Sequence, residues 1–432
     1  MFNQETLTRL SQEIYTRTLL TIVISRLFML KIGKVLALII TSIFLFSTVD
    51  FQPSPVLAQP STITVPDDYQ TIYEAIENSD AGDTVFVKNG VYNLTGHGPL
   101  IVDKSISIIG ANVLDTMIIV DDDWLYNVPL ILVNADDVTI SGLTIFNGRR
   151  SVGIDIEGSR CRVSENQLNC AIFVSGKNNL LYENTISNVS FFAGIMCEHA
   201  DSTVIINNTI MHCSDSAGIW IDDSNNTTVK QNNLMNNSDG IAIGFYLNQI
   251  CNTTIVEENN IEGNGDGVVL GPSYSSYIYG NTIADNFGAG VEFNQNCNNS
   301  LIYNNLISQN DVGFRLTNQN QTQKAFKNTV YSNNIIDNKK DVLYDQFGNS
   351  TLVSWDNYNR GNYWSNFNGN GVYVIDEDNI DHYPLMHPVD IKTFNEKTNQ
   401  LTLNVTITIV IIILLVLIVI FLFLYRMRRK KS

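Results

Sequence analysis

NNTIMHCSDSAGIWIDDSNNTTVKQNNLMNNSDGIAIG, running from Asn207 to Gly244, makes one statement twice. An Asn stands two places before an aliphatic residue, Asn208 before Ile210 and Asn232 before Leu234. A Gly–aliphatic–x–aliphatic phrase then follows, GIWI from Gly218 and GIAI from Gly240. Working outward, Asn166, Asn184, Asn259, Asn281, Asn304 and Asn333 precede Leu168, Ile186, Ile261, Ile283, Leu306 and Ile335 in the same way. The second phrase returns as GIDI from Gly153, GIMC from Gly194, GVVL from Gly267, GVEF from Gly290 and GFRL from Gly313. The period is about two dozen residues, and the apolar runs are too short for helices, so they read as several strands per repeat.

Strands stacked coil on coil explain these residues. In a parallel solenoid each strand pairs with its equivalent about 4.8 Å along the axis, so equivalent side chains form columns. Aliphatic columns fill the interior, inward Asn at the turns hydrogen-bond from coil to coil, and Gly supplies unusual backbone angles at corners. A disordered Asn-rich chain would lack the apolar columns. The fold class is therefore all-β, a single-stranded parallel β-helix.

Three further stretches carry a family resemblance. They are the entry ITVPDDYQTIYEAIENSDAGDTVFVKNGVYN, the next coil PLIVDKSISIIGAN, and the exit SWDNYNRGNYWSNFNG followed by YVIDEDNIDHYPLM. Together with the repeats, over about Ile63 to Pro388, the chain resembles the pectin-lyase-like, right-handed parallel β-helix proteins, and within them the NosD-like surface group. The resemblance implies a short N-terminal helix, Tyr69 to Asn78, capping the first coil, and an aromatic module closing the last. Related exit modules carry an Asp- and Gly-rich insert. Here Asn370-Gly371 leads almost directly into Val372, so no cation site of that insert carries over.

The ends read as membrane-targeting segments. Val405 to Tyr425 is apolar except for Thr406 and Thr408, long enough as a helix to cross a bilayer, and RMRRKKS follows it. Lys31 and Lys34 precede an apolar run from Val35 to Phe46, the pattern of a secretory signal ending near Ala58; Met29 is a more ordinary start than Met1. An uncleaved signal anchor is the rival reading. The expected organisation is a signal region 1–58, a β-helix 59–354, an aromatic cap 355–389, a polar stalk 390–404, a transmembrane helix 405–425 and a basic cytoplasmic tail 426–432. That makes a single-pass protein of the cell membrane with an extracellular ectodomain.

The formal charge of the 432 residues is −17, and residues 59–404 alone carry −24. Such a surface repels nucleic acid and disfavours polyanionic glycans unless cations bridge. Six cysteines lie in the exported part, but Cys251 and Cys297 hold equivalent places two coils apart, roughly 10 Å, too far for a disulfide. Cys197 falls on an inward position and Cys213 on an Asn-type turn position, so the cysteines read as small core fillers. Eleven Asn-x-Ser/Thr sequons, among them Asn93, Asn188, Asn252 and Asn349, suit a glycoprotein, though an Asn-rich chain yields many by chance.

With the aliphatics of the Gly phrase inward, the x residues form an outward column: Asp155, Phe173, Met196, Trp220, Ala242, Val269, Glu292 and Arg315. A second column reads Glu157, Ser175, Glu198, Asp222, Gly244, Gly271, Asn294 and Thr317. Phe173, Met196 and Trp220 on successive coils, beside Asp223, suit a sugar ring that stacks on aromatics and donates to carboxylates. The competing reading covers this strip with the loops Asp121–Val128 or Val189–Phe192. A catalytic reading rests on Asp222 with Glu198 one coil below as paired carboxylates, and on Arg149, Arg150, Arg160 and Arg162 near Asp155 and Glu157. The tight Asp, His, Arg and Lys motifs of polygalacturonases and pectate lyases are not found at matching positions.

A copper reading draws on Met196, Cys197, His199, Met211, His212 and Cys213, soft ligands within one coil. Alternation sends Met196 out and Cys197 in, so copper is disfavoured. Calcium is a candidate cation, with Asp121 to Asp123, and Asp376, Asp378 and Asp381, as oxygen ligands. The exit aromatics Trp355, Tyr358, Tyr363, Trp364, Phe367 and Tyr383 read first as a plug over the last coil. The balance favours non-catalytic binding or scaffolding at a cell surface, with carbohydrate or other envelope components as partners. A polysaccharide-modifying lyase, hydrolase or epimerase is the alternative, and metal handling a further one.

Overall fold

The computed structural model describes residues 59–120, 128–146, 152–244, 250–294, 297–317, 328–344, 353–377 and 379–391. The signal region, most of the stalk, the 405–425 run, the basic tail, Arg149, Arg150, Asp121 to Asp123 and Asp378 lie outside them. Among the described residues no helix is long and apolar enough to cross a membrane.

The repeats wind into a parallel β-solenoid with three faces. A 13-stranded face starts at Thr62–Val65, a 12-stranded face at Gly90–Asn93 and an 11-stranded face at Leu100–Val102. Every pairing on these faces is parallel, so the solenoid makes about as many turns as the 11-stranded face has strands. The Gly phrases form the 11-stranded face, and the aliphatics after each ladder Asn form the 12-stranded one. The core is one continuous column of Ile, Val and Leu, with all six cysteines buried and free.

Each corner follows one rule: a residue in the left-handed region, then an inward side chain. Glu183, Asn207, Gln231, Glu258 and Asn304 have φ of 56, 57, 54, 58 and 55°, and each directly precedes a ladder Asn. Gly was expected to hold such corners, and Gly280 and Gly263 do, at φ 68 and 66°. Most corners instead use Asn, Asp, Glu, Gln or Ser, whose polar side chains tolerate or stay clear of the turn. The glycines of the repeated phrase are required for space. A Cβ on Gly240 would lie 2.5 Å from the Gly267 carbonyl oxygen of the next coil.

The Asn ladder runs through Asn166, Asn184, Asn208, Asn232, Asn259, Asn281, Asn305, Asn333 and Asn362. Each side-chain amide donates to the next side-chain oxygen, at 2.9 to 3.1 Å. The seventh rung corrects the sequence expectation. Asn305, with Ile307 inward, is the ladder member, whereas Asn304 is the corner residue and Leu306 faces out. A second ladder, Asn237, Asn264, Asn286, Asn310 and Asn338, runs along the next corner, with the Cys213 amide donating to Asn237 at its foot.

Both ends are closed. Helix α1, Ile72–Glu77, is shorter than the Tyr69–Asn78 segment expected. Thr71 and Glu74 form a capping box and Asn78 ends the helix, while Ile72, Ala75 and Ile76 pack on the first coil. At the exit the 12-stranded face continues to Tyr363–Trp364, inside the segment read as the cap. Trp355 and Trp364 are fully buried, and Tyr373 stacks on Trp364 at 4.3 Å. Tyr358 and Tyr383 are no part of that plug; they are 88% and 47% exposed.

Candidate functional site

The strand register confirms the outward column: Leu132, Asp155, Phe173, Met196, Trp220, Ala242, Val269, Glu292 and Arg315 are successive partners on the 11-stranded face. The regular stagger of the Gly phrase puts these positions one coil apart, about 4.8 Å. Phe173, Met196 and Trp220 are half-buried and in register, so the expected strip exists. Of the loops expected to cover it, Val189 is buried, Phe192 packs on the core and Phe191 is exposed; of the other loop only Val128 is described.

Asp222 pairs with Glu198 in register but does not face solvent; it is 0% exposed. Its carboxylate accepts from the Trp220 indole N–H at 2.9 Å, and its backbone oxygen accepts from Ser224 Oγ at 2.7 Å. The side chain thus acts as a strut beneath the indole. Asp223, at φ 40°, turns away and pairs with His199 Nδ1 at 2.9 Å. Glu198 is half-buried on the coil below.

Of the arginines expected near Asp155, the two described ones, Arg160 and Arg162, are engaged elsewhere. Arg160 holds Asp136 and Asp137, and Arg162 lies over the Tyr182 ring at 5.0 Å. Asp155 itself sits between Leu132 and Phe173, with Oδ1 buried and lacking any hydrogen-bond partner. Burial, aided by the Glu157 charge, pushes its carboxyl up to about 6.

Further along the column, small residues replace large ones. Ala242, Ile243, Gly244, Val269, Gly271, Pro272 and Asn294 line a shallow pocket between Trp220 and Glu292. Beyond it Arg315 clamps Glu292 at 2.8 Å and Asp266 at 3.0 Å, and Thr317 Oγ donates to Glu292 at 3.1 Å. Asp239, in register with Asp266, is pushed up to about 6 by burial and by the Asp266 and Glu292 charges. Sequence reasoning missed this Asp239–Asp266 pair. It also missed the stack Tyr279, Tyr303 and Tyr331 on the 13-stranded face, with centroids 5.0 and 5.3 Å apart. Its signal was a Tyr two residues before the ladder Asn in three consecutive repeats.

The soft side chains do not converge. Cys197 and Cys213 are inside the coil, Met196 faces out on the 11-stranded face and Met211 lies on the 12-stranded one. Among the described residues no three His, Cys, Asp or Glu side chains are grouped to hold a metal ion. Of the calcium candidates, Asp376 accepts from the backbone and side chain of Asn379. Asp381 is buried and accepts from Asn362 N, Trp364 Nε1 and Tyr383 N. Both carboxylates brace the cap.

Residues 129–249 match the family model described as the right handed beta helix region, and residues 243–369 match that of the periplasmic copper-binding protein (NosD). The resemblance read from the sequence holds over these two stretches. No curated protein matches the chain. Among solved structures, the A-module of a mannuronan C-5 epimerase from Azotobacter vinelandii is similar at 17% identity. That match covers 65% of this chain and 92% of the other, with a TM-score of 0.47. A polygalacturonase from Erwinia carotovora ssp. carotovora is similar at 12% identity over 68% of this chain and 96% of the other, with a TM-score of 0.49. The catalytic domain of a GH87 alpha-1,3-glucanase is similar at 13% identity over 72% and 70%, with a TM-score of 0.47.

Proposed function

We propose that this is a cell-surface β-helix protein, anchored through residues 405–425, that binds carbohydrate on its 11-stranded face without turning it over. One observation carries the reading. Trp220 is half-exposed, in register with Phe173 and Met196, and fixed by the Asp222 carboxylate beneath its indole N–H. A pre-positioned aromatic surface takes a sugar ring with little ordering cost. The use of Asp222 as a strut, where the catalytic reading needed an accessible acid, favours binding over glycoside cleavage. Copper, which the description of one matched family model names, is left out of this reading because Cys197 and Cys213 are enclosed in the core.

The test is retention of glycans by the full chain in detergent, with mass spectrometry of the soluble products. Retention of one glycan class without new oligosaccharides, lost in Trp220→Ala, is the expected result. New oligosaccharides that disappear in Asp222→Ala would make the protein an enzyme. Neither retention nor products would leave a structural envelope protein.

A further inference from the structure

We infer that the glycan bound by the 11-stranded face carries free amino groups, an unacetylated hexosamine, and that one ammonium seats against Asp155 at the foot of the strip. This deepens the binding reading above and rests on it. Asp155 Oδ1 is buried and has no hydrogen-bond partner. The other buried side-chain atoms in that condition are neutral oxygens of Thr, Ser, Tyr and Asn, so Asp155 is the one carboxylate among them within the described residues. The residue is half-buried, and a carboxylate with one oxygen enclosed and unpaired is costly. The Asn179 amide, on the same coils, reaches the Gly158 carbonyl.

No described residue gives Asp155 Oδ1 a donor, and a donor from outside, preferably with a positive charge, would compensate the carboxylate. Phe173, one coil up, adds an aromatic ring that attracts cations, and the flanking column adds Glu157 and Glu198. A ring hydroxyl satisfies the donor requirement alone, whereas an ammonium on a pyranose also satisfies the charge. Uronates meet like charge at Asp155, Glu157 and Glu198.

The pH dependence has a defined sign. Among the described residues the charge acting on Asp155 is that of Glu157, just past the end of its strand; the strands on either side bring Leu132 and Phe173, which do not titrate. Because burial holds the carboxyl near 6, ionisation is lost as pH falls through that value, and an ammonium loses its seat with it. A neutral sugar accepting from the protonated acid would show the opposite trend.

The experiment measures binding of a chitosan oligosaccharide and of its fully N-acetylated counterpart to the full chain, at about pH 7 and about pH 5. The expected outcome is a preference of roughly tenfold or more for the free amine at the higher pH. That preference should shrink at the lower pH and vanish in the near-isosteric Asp155→Asn, while Glu157→Gln retains most of it. Equal binding of the two glycans, a preference untouched by Asp155→Asn, or equal losses in both variants would overturn the inference. In each of those cases a loss of retention in Trp220→Ala still upholds the binding face. Retention of neither probe, nor of any neutral glycan, overturns both.

Discussion

Asn305 and Asn304 stand side by side and do opposite work. The Asn305 side chain accepts from both the backbone and side-chain amides of Asn281 and donates to the Ile278 carbonyl and to Asn333, all inside the coil. Asn304 is the corner, at φ 55°, with its side chain half-exposed. Replacing Asn305 with Ala strands two buried donors and a carbonyl, at a cost of about 3 kcal/mol. Asn304→Gly keeps the left-handed backbone and changes stability by no more than about 0.5 kcal/mol. Denaturant midpoints of the two variants check this, and equal midpoints would show that the ladder is not what stabilises the corner. The same pair shows the limit of reading by pattern. In YNNLIS, Asn304 with Leu306 and Asn305 with Ile307 satisfy the spacing equally, as Asn333 with Ile335 and Asn334 with Ile336 do one coil on, and only the coil register chooses.

At the scale of elements, the ends were legible as ends, but their internal partners were not. The entry helix could be located because Thr71, Glu74 and an apolar face are local signals. Asp83 could not be singled out. Its carboxylate receives Ser61 N at 2.7 Å and Asp80 N at 2.9 Å, fastening the first strand, Thr62–Val65, to the second coil. Those backbone donors, from Asp80 first and Ser61 next, hold the Asp83 carboxyl below its ordinary value. A carboxyl depressed in the folded state adds stability above its unfolded pKa, about 3.9, and that stability is lost as pH falls through the lower folded value. Amide-exchange protection of Thr62 to Val65, corrected for intrinsic rates, is expected to fall between about pH 5 and about pH 2. Asp83→Asn should lower protection at the higher pH and flatten the dependence. Protection that is indifferent to both changes would mean that the strand is held by pairing alone. The exit shows the same division: the aromatic plug was expected, yet which aromatics enter it depends on Asp381. Its buried carboxylate draws in Trp364 and the Asn362 rung, leaving Tyr358 outside.

For the solenoid as a whole, repetition is both the legible part and the reason the site is hard to read. A column is predicted by period alone, so the Phe173–Met196–Trp220 strip follows from the sequence, whereas burial of Asp222 depends on how one indole leans on it. Repetition also means that each coil packs mainly on its neighbours, the Arg315–Asp266 pair reaching between strands two coils apart, so stability is local and opening spreads from the ends. The buried cysteines report on this. Burial pushes the thiols of Cys197, Cys213 and Cys251 up to about 12 and that of Cys297 up to about 11, so none is a thiolate at neutral pH. A thiol reagent should leave the native protein unlabelled and find all six thiols in the denatured chain, and a reductant should not shift the melting temperature. At intermediate denaturant, Cys161, in an early coil, and Cys297, toward the aromatic exit, should label before Cys197 and Cys213 between them. Simultaneous labelling of all six would show that the stacked coils open as one cooperative unit. Labelling of Cys213 first would place the weakest coil beneath the proposed binding face, where occupied glycan should then slow its reaction.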